Sequence, residues 1–174
     1  MKIQQPKSFD PSQYYTSYLS LISGDDLIAA LESVSHKTLK LINKLKDEDF
    51  QYRYGEGKWT VGVLLQHICD AERVYAYRAL RFLRGDLSEL PGFDENDFAD
   101  GSKGYSKISE FTSEYHAIRS SSLSLFLNSH LENLDVDGSA NGIQFSPRVL
   151  GWLMVGHNIH HLNIFEERYL PGLK

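Results

Sequence analysis

The chain has a single cysteine, Cys69, so an intrachain disulfide framework is excluded and a reducing compartment fits. It lacks a basic surplus. With 18 Lys and Arg against 23 Asp and Glu, the formal net charge is −5, which leaves no electrostatic footprint for nucleic acid and mild repulsion from anionic membranes. Long apolar runs are missing too. None approaches the ~20 residues needed to span a bilayer, and the opening Met1-Lys-Ile-Gln-Gln-Pro carries no signal-peptide core. The expectation is a soluble cytoplasmic protein that binds neither nucleic acid nor membrane.

What is present is ordinary globular material. Hydrophobic residues make up 41% and charged residues 24% of 174 residues, enough for one domain with a proper core and too short for two comfortable ones. Residues 1–174 are therefore expected to form one unit, with a core from about 25 to 170.

Helical periodicity dominates the chain. Asp10-Pro11 reads as an N-cap with proline at the first helical position, opening a short helix or turn that runs to Gly24. From Asp25 to about Lys46, Leu27, Ile28, Leu31, Val34, Leu39, Ile42 and Leu45 recur at helical spacing. Thr60 is the expected N-cap of a second long helix. Its stripe, Val63/Leu64, His67, Ile68, Ala71, Val74/Tyr75, Arg78 and Phe82, ends near Arg84-Gly85. Residues 86–105 read as a long loop, a length that is usually functional or packed over the structure. Ser106 is the expected cap of a third helix through Phe111, Tyr115, Ile118 and Phe126. Asp137-Gly138 and Asn141-Gly142 mark a turn or small hairpin. Ser146-Pro147 starts the last helix and Pro171-Gly172 stops it. The fold expected is all-α: a four-helix bundle with a short N-terminal helix and a long loop between helices two and three.

The histidines are unevenly placed. His36, His116 and His130 read as surface or boundary residues, whereas His157, His160 and His161 crowd the last helix among large apolar side chains. His157 and His161 share a stripe with Leu150, Met154 and Ile164/Phe165. They stand one turn apart, the spacing by which two side chains on one helix reach the same ion. His160 lies ~100° around the helix from His161. A buried histidine is ordinarily a satisfied core residue, so this pair alone is open to either reading. His67 adds a third imidazole, mid-stripe on helix two. A bundle that packs helices two and four together would converge all three into a neutral set suited to zinc, nickel, copper or iron, with an open position on the ion. Unpartnered, each would cost ~1–3 kcal/mol; a shared ion satisfies them together.

Several short pieces then line up in order: Trp59-Thr60, His67-Ile-Cys-Asp70-Ala-Glu72-Arg73, Tyr77-Arg78-Ala-Leu80, Arg84-Gly85-Asp86, Leu90-Pro91-Gly92-Phe93-Asp94, Gly156-His157-Asn-Ile-His160-His161 and Glu167-Arg168-Tyr169-Leu170. From about Leu27 to Leu170 the chain resembles the DinB/YfiT-like superfamily. The resemblance implies a four-helix bundle with a divalent metal, zinc or nickel, on three histidines that map to His67, His157 and His161. It implies that His160 is not a ligand. It also implies a homodimer acting on a small-molecule substrate, either as a metal-dependent hydrolase or as a transferase that uses a low-molecular-weight thiol. The alternative is a non-catalytic metal-binding or protein-interaction bundle.

Two further side chains are candidates for the chemistry. Asp70, three residues from His67, could orient its ring through the second nitrogen, or be a capped or solvated surface acid. Arg78, on the His67 stripe, could hold a substrate carboxylate with two hydrogen bonds. Glu72 with Arg73, and Glu167 with Arg168, read as surface ion pairs. Cys69 sits roughly 200° around the helix from His67 and is not counted as a ligand.

Overall fold

The computed structural model describes residues 2–7 and 13–173, without the side chains of 13 and 14. The Asp10-Pro11 cap lies outside the described residues. The short N-terminal helix is α1, Gln13–Leu19. The four long helices are α2 (Leu27–Ile42), α3 (Val61–Leu83), α5 (Ile108–Leu127) and α6 (Pro147–Ile164), with a short α4 (Glu95–Gly101) between the second and third of them. Among the described residues no helix is long and apolar enough to cross a membrane.

The caps explain where the helices begin. Asp26 accepts the Ile28 N–H at 3.1 Å, Thr60 accepts that of Val63 at 3.2 Å, and Ser146 accepts that of Val149 at 3.2 Å. Each satisfies an N–H that has no partner within its helix. Ser106 does not cap α5. That helix starts after Lys107, which makes no side-chain cap, and the Ile108 N–H is taken at 2.9 Å by Asp47 from a distant turn. A tertiary contact has replaced the local one.

α6 is the central helix. Its residues from Val149 to Asn158 are all buried, because α3, α2 and α1 pack against it, α3 most extensively. α5 lies diagonally opposite, against α2 and α3. This arrangement sets the α3 face that carries His67 against the α6 face that carries His157 and His161. Two glycines let neighbouring backbone come close to these two helices from other sides. A Cβ on Gly156 would lie 2.5 Å from the Tyr18 carbonyl oxygen of α1, and one on Gly62 would lie 2.0 Å from the Tyr105 carbonyl oxygen.

Residues 86–105 are not a plain loop. Asp94 accepts the N–H groups of Asn96 and Asp97 at 2.7 and 3.3 Å and starts α4. Leu90 joins the edge of a small antiparallel hairpin, β1 (Gly138–Ala140) with β2 (Ile143–Phe145). Its N–H donates to Ser139 and its carbonyl accepts from Asn141, at 3.0 and 2.9 Å. The hairpin turn, Asn141-Gly142, has φ of 55° and 72°, the left-handed pair that a two-residue turn of this kind requires.

Candidate metal centre

The Nε2 atoms of His67, His157 and His161 form a nearly equilateral triangle: 3.0 Å from His67 to His157, 3.1 Å from His67 to His161 and 3.0 Å from His157 to His161. His157 and His161 are buried, 4% and 8% exposed, and His67 is half-buried. The surrounding shell is aromatic. Trp59 lies 5.1 Å from the His67 ring, and the Tyr18 and Tyr75 rings meet His157 edge-on at 5.5 and 5.9 Å. His160 is outside the triangle, its ring 5.0 Å from both Tyr18 and His161.

Protons alone do not satisfy this triangle. Each Nε2 of a neutral imidazole is either a donor or an acceptor. With three mutual neighbours, at least one pair must set donor against donor or lone pair against lone pair. Charging a ring does not relieve the conflict. Burial lowers the His67 pKa to about 4, with the neighbouring His160 adding to the effect, and burial and then the adjoining imidazoles hold His157 and His161 well below 6.5. His161 has a further problem, since its buried Nδ1 has no hydrogen-bond partner among the described residues. It is not the satisfied core histidine of the plain packing reading. The donor set fits a cation that accepts three lone pairs at once, and the three nitrogens are close enough to hold one ion. At ~2.0–2.1 Å from each nitrogen, tetrahedral coordination needs a donor separation of about 3.3 Å and octahedral coordination about 2.9 Å. The observed edges lie between.

Comparison with known proteins agrees with this architecture. The profile of the DinB superfamily matches residues 30–165. The chain belongs to the DinB superfamily. Two solved structures share the DinB fold with it. One is YfiT from Bacillus subtilis, described as a probable metal-dependent hydrolase with an unusual four-helix bundle topology. It aligns with a TM-score of 0.69 at 17% identity, over 97% of this chain and 93% of that one. The other is YjoA, a DinB-like protein of the same organism, with a TM-score of 0.62 at 17% identity, over 85% and 92%. In sequence, the "Putative metal-dependent hydrolase OB0413" of Oceanobacillus iheyensis is 28% identical over 69 residues, which is 40% of this chain and 40% of that protein's length.

Within this DinB bundle the other expected site residues sit elsewhere. Asp70 does not hydrogen-bond His67. Its Oδ1 accepts from Gln66 Nε2 at 3.3 Å and from Arg73 Nη1 at 3.2 Å, on the partly exposed side of α3. Arg78 shares the azimuth of His67 but lies eleven residues further on, ~16 Å along the helix axis at 1.5 Å per residue. Its guanidinium donates from Nη2 to the Pro91 carbonyl at 3.0 Å. The Cys69 thiol is fully buried and pushed up to about 12 by that burial, so it keeps its proton at neutral pH.

Glu72 is not in a surface pair with Arg73. It is 3% exposed and accepts two hydrogen bonds from Arg119 of α5. From Arg119 the contacts run to Asn158 Oδ1 at 3.1 Å, which also accepts from the Tyr115 hydroxyl at 2.7 Å, and Asn158 Nδ2 donates to Thr38 at 3.2 Å. The network therefore joins all four long helices, α2 and α5 bonding Asn158 of α6 directly and α3 through Arg119, at the residue after His157. The signal in the sequence is a carboxylate at helical spacing among Ile68, Cys69 and Tyr75, and a guanidinium at the same spacing between Tyr115 and Phe126.

Proposed function

We propose that the protein is a metal-dependent enzyme whose ion is held by the Nε2 atoms of His67, His157 and His161. The observation that carries this reading is the convergence of three neutral imidazoles with no self-consistent proton arrangement. When bound, the ion supplies Lewis-acid activation of a nucleophile at neutral pH. The protein's own groups do the rest. The buried network ending at Asn158 fixes the rotation of α6, Trp59, Tyr18 and Tyr75 keep the rings in place and limit water, and neutral imidazoles leave the ion its full charge. A nitrogen-only donor set suits zinc or nickel.

Hydrolysis is the first reading, supported by the descriptions of OB0413 and YfiT. Transfer to or from a low-molecular-weight thiol is the second. It is favoured by the make-up of the converging group, three imidazoles with no carboxylate among them, since a metal-activated thiolate needs no carboxylate base beside it. We read the chain as one domain with its core at 25–170, cytoplasmic, homodimeric, and acting on a small molecule rather than a nucleic acid.

Elemental analysis of the wild-type protein beside His67→Ala tests the centre. One equivalent of metal in the first and none in the second supports it; full metal in the variant, or a folded metal-free wild type, sinks it. Turnover of an activated ester without thiol, set against thiol-dependent conjugation of a chlorinated aromatic, separates the two chemistries.

A further inference from the structure

Arg78 is a buried cation that no carboxylate touches directly among the described residues. It is 3% exposed, as is Arg119, but Arg119 has Glu72. Among the described residues the Arg78 guanidinium forms no ion pair and donates one hydrogen bond, from Nη2 to the Pro91 carbonyl at 3.0 Å. The acids of this region are engaged elsewhere. Glu89 accepts the Gly142 N–H at 2.8 Å and feels the Arg78 charge only at longer range, Asp86 pairs with Arg81, and Asp70 and Glu114 pair with Arg73. A guanidinium offers five N–H donors in a planar fork, and a buried charge left unpaired is among the costlier features a fold can retain.

Arg78 also lines an open pocket of ≈ 350 Å³ together with Val74, Tyr77, Leu90, Pro91 and Phe93. That volume is at the lower end of small-molecule sites, roughly 300–1,000 Å³. The other cation on its rim, Arg73, is held by Glu114 at 2.6 Å and Asp70 at 3.2 Å, so Arg78 supplies the one unpaired charge among the described lining residues. A largely apolar, open pocket with a single two-pronged donor selects a ligand with one planar anionic group and an apolar body.

We propose that this cavity is a second ligand site, separate from the histidine centre, that takes a small monocarboxylate with an aryl or short alkyl body, its carboxylate on Arg78. The site requires no metal and stands or falls independently of the enzymatic reading.

The test is a titration of the nitrogen-15-labelled full chain with phenylacetate and, in parallel, with its neutral isostere phenylacetamide, read by backbone amide shifts. Phenylacetate is expected to give saturable shifts at residues 74–78 and 90–93, with phenylacetamide at least about ten-fold weaker. Arg78→Met, which keeps the length of the side chain and removes its charge, is expected to weaken phenylacetate by a similar factor. Absence of saturation at millimolar ligand, equal binding of acid and amide, shifts centred on His67 and His157, or unchanged binding by a folded Arg78→Met would each overturn the proposal. The comparison of acid with amide uses the unaltered chain, so it decides the question even if the variant does not fold.

Discussion

Arg119 on α5 and Glu72 on α3 face each other as a two-bond fork, Nε to Oε1 at 2.9 Å and Nη2 to Oε2 at 2.8 Å, with both side chains 3% exposed. Removing one partner leaves the other charged and dry. Glu72→Gln is expected to lower stability by ~3–5 kcal/mol, whereas the double change Glu72→Met with Arg119→Met should recover most of the loss, since two apolar side chains leave no orphan charge. Urea unfolding of the single and double variants measures this. A loss below about 1 kcal/mol in Glu72→Gln would show that the fork contributes little.

Stability of the metal-free protein should depend on pH. His67, His157 and His161 all have lowered pKa values in the fold, His67 at about 4, with burial as the first cause. Below the unfolded value of about 6.5 the unfolded chain binds more protons than the folded one, so stability is complete above that pH and falls as pH drops toward 4. The slope approaches ~1.4 kcal/mol per pH unit for each imidazole. Urea midpoints taken between about pH 8 and pH 5 should be level at the alkaline end and fall steeply at the acid end. A level profile throughout would contradict the burial of these rings.

His160 and His161 should behave differently although they are neighbours. His160 lies outside the nitrogen triangle, and His161 is one of its corners. His160→Ala is expected to retain a full equivalent of metal, and His161→Ala to lose it. Elemental analysis after dialysis against a weak chelator distinguishes them.

Gly156→Ala should disturb the N-terminal helix rather than α6 itself. The added methyl carbon would sit 2.5 Å from the Tyr18 carbonyl oxygen and 2.8 Å from its carbon, both backbone atoms that cannot rotate aside. We expect a loss of ~1–3 kcal/mol, the usual range for overpacking, and faster proteolysis between α1 and α2. Wild-type protease resistance in this variant would mean that α1 shifts without cost.

Much of this was legible from spacing. The long helices, the Thr60 and Ser146 caps and the mid-stripe placing of His67, His157 and His161 follow from periodicity and local signals, because such stripes are visible in a single chain; that the three rings meet depended on helices two and four packing together, as the family resemblance implied. Features made across helices were not. Glu72 reads as polar beside Arg73, and only the packing of α5 onto α3 turns it inward to Arg119. Arg78 shares a stripe with His67, but a stripe records azimuth and not distance along the axis, so spacing alone leaves their eleven-residue separation out of account. The α4 start was readable in Asp94 and the acids that follow it, and was masked by the glycines and proline around it. Ser106 failed as a cap because Asp47, remote in sequence, took the N–H that a local cap would have served.

His67 and His157 are ninety residues apart in the chain, so whatever joins their nitrogens closes a ring containing about half of the polypeptide. Such a ring opens only if α3 parts from α6. A cation at this point would therefore act as a removable crosslink: by binding the folded chain alone it would raise the unfolding midpoint with its own concentration, and a chelator would return the midpoint to that of the bare bundle.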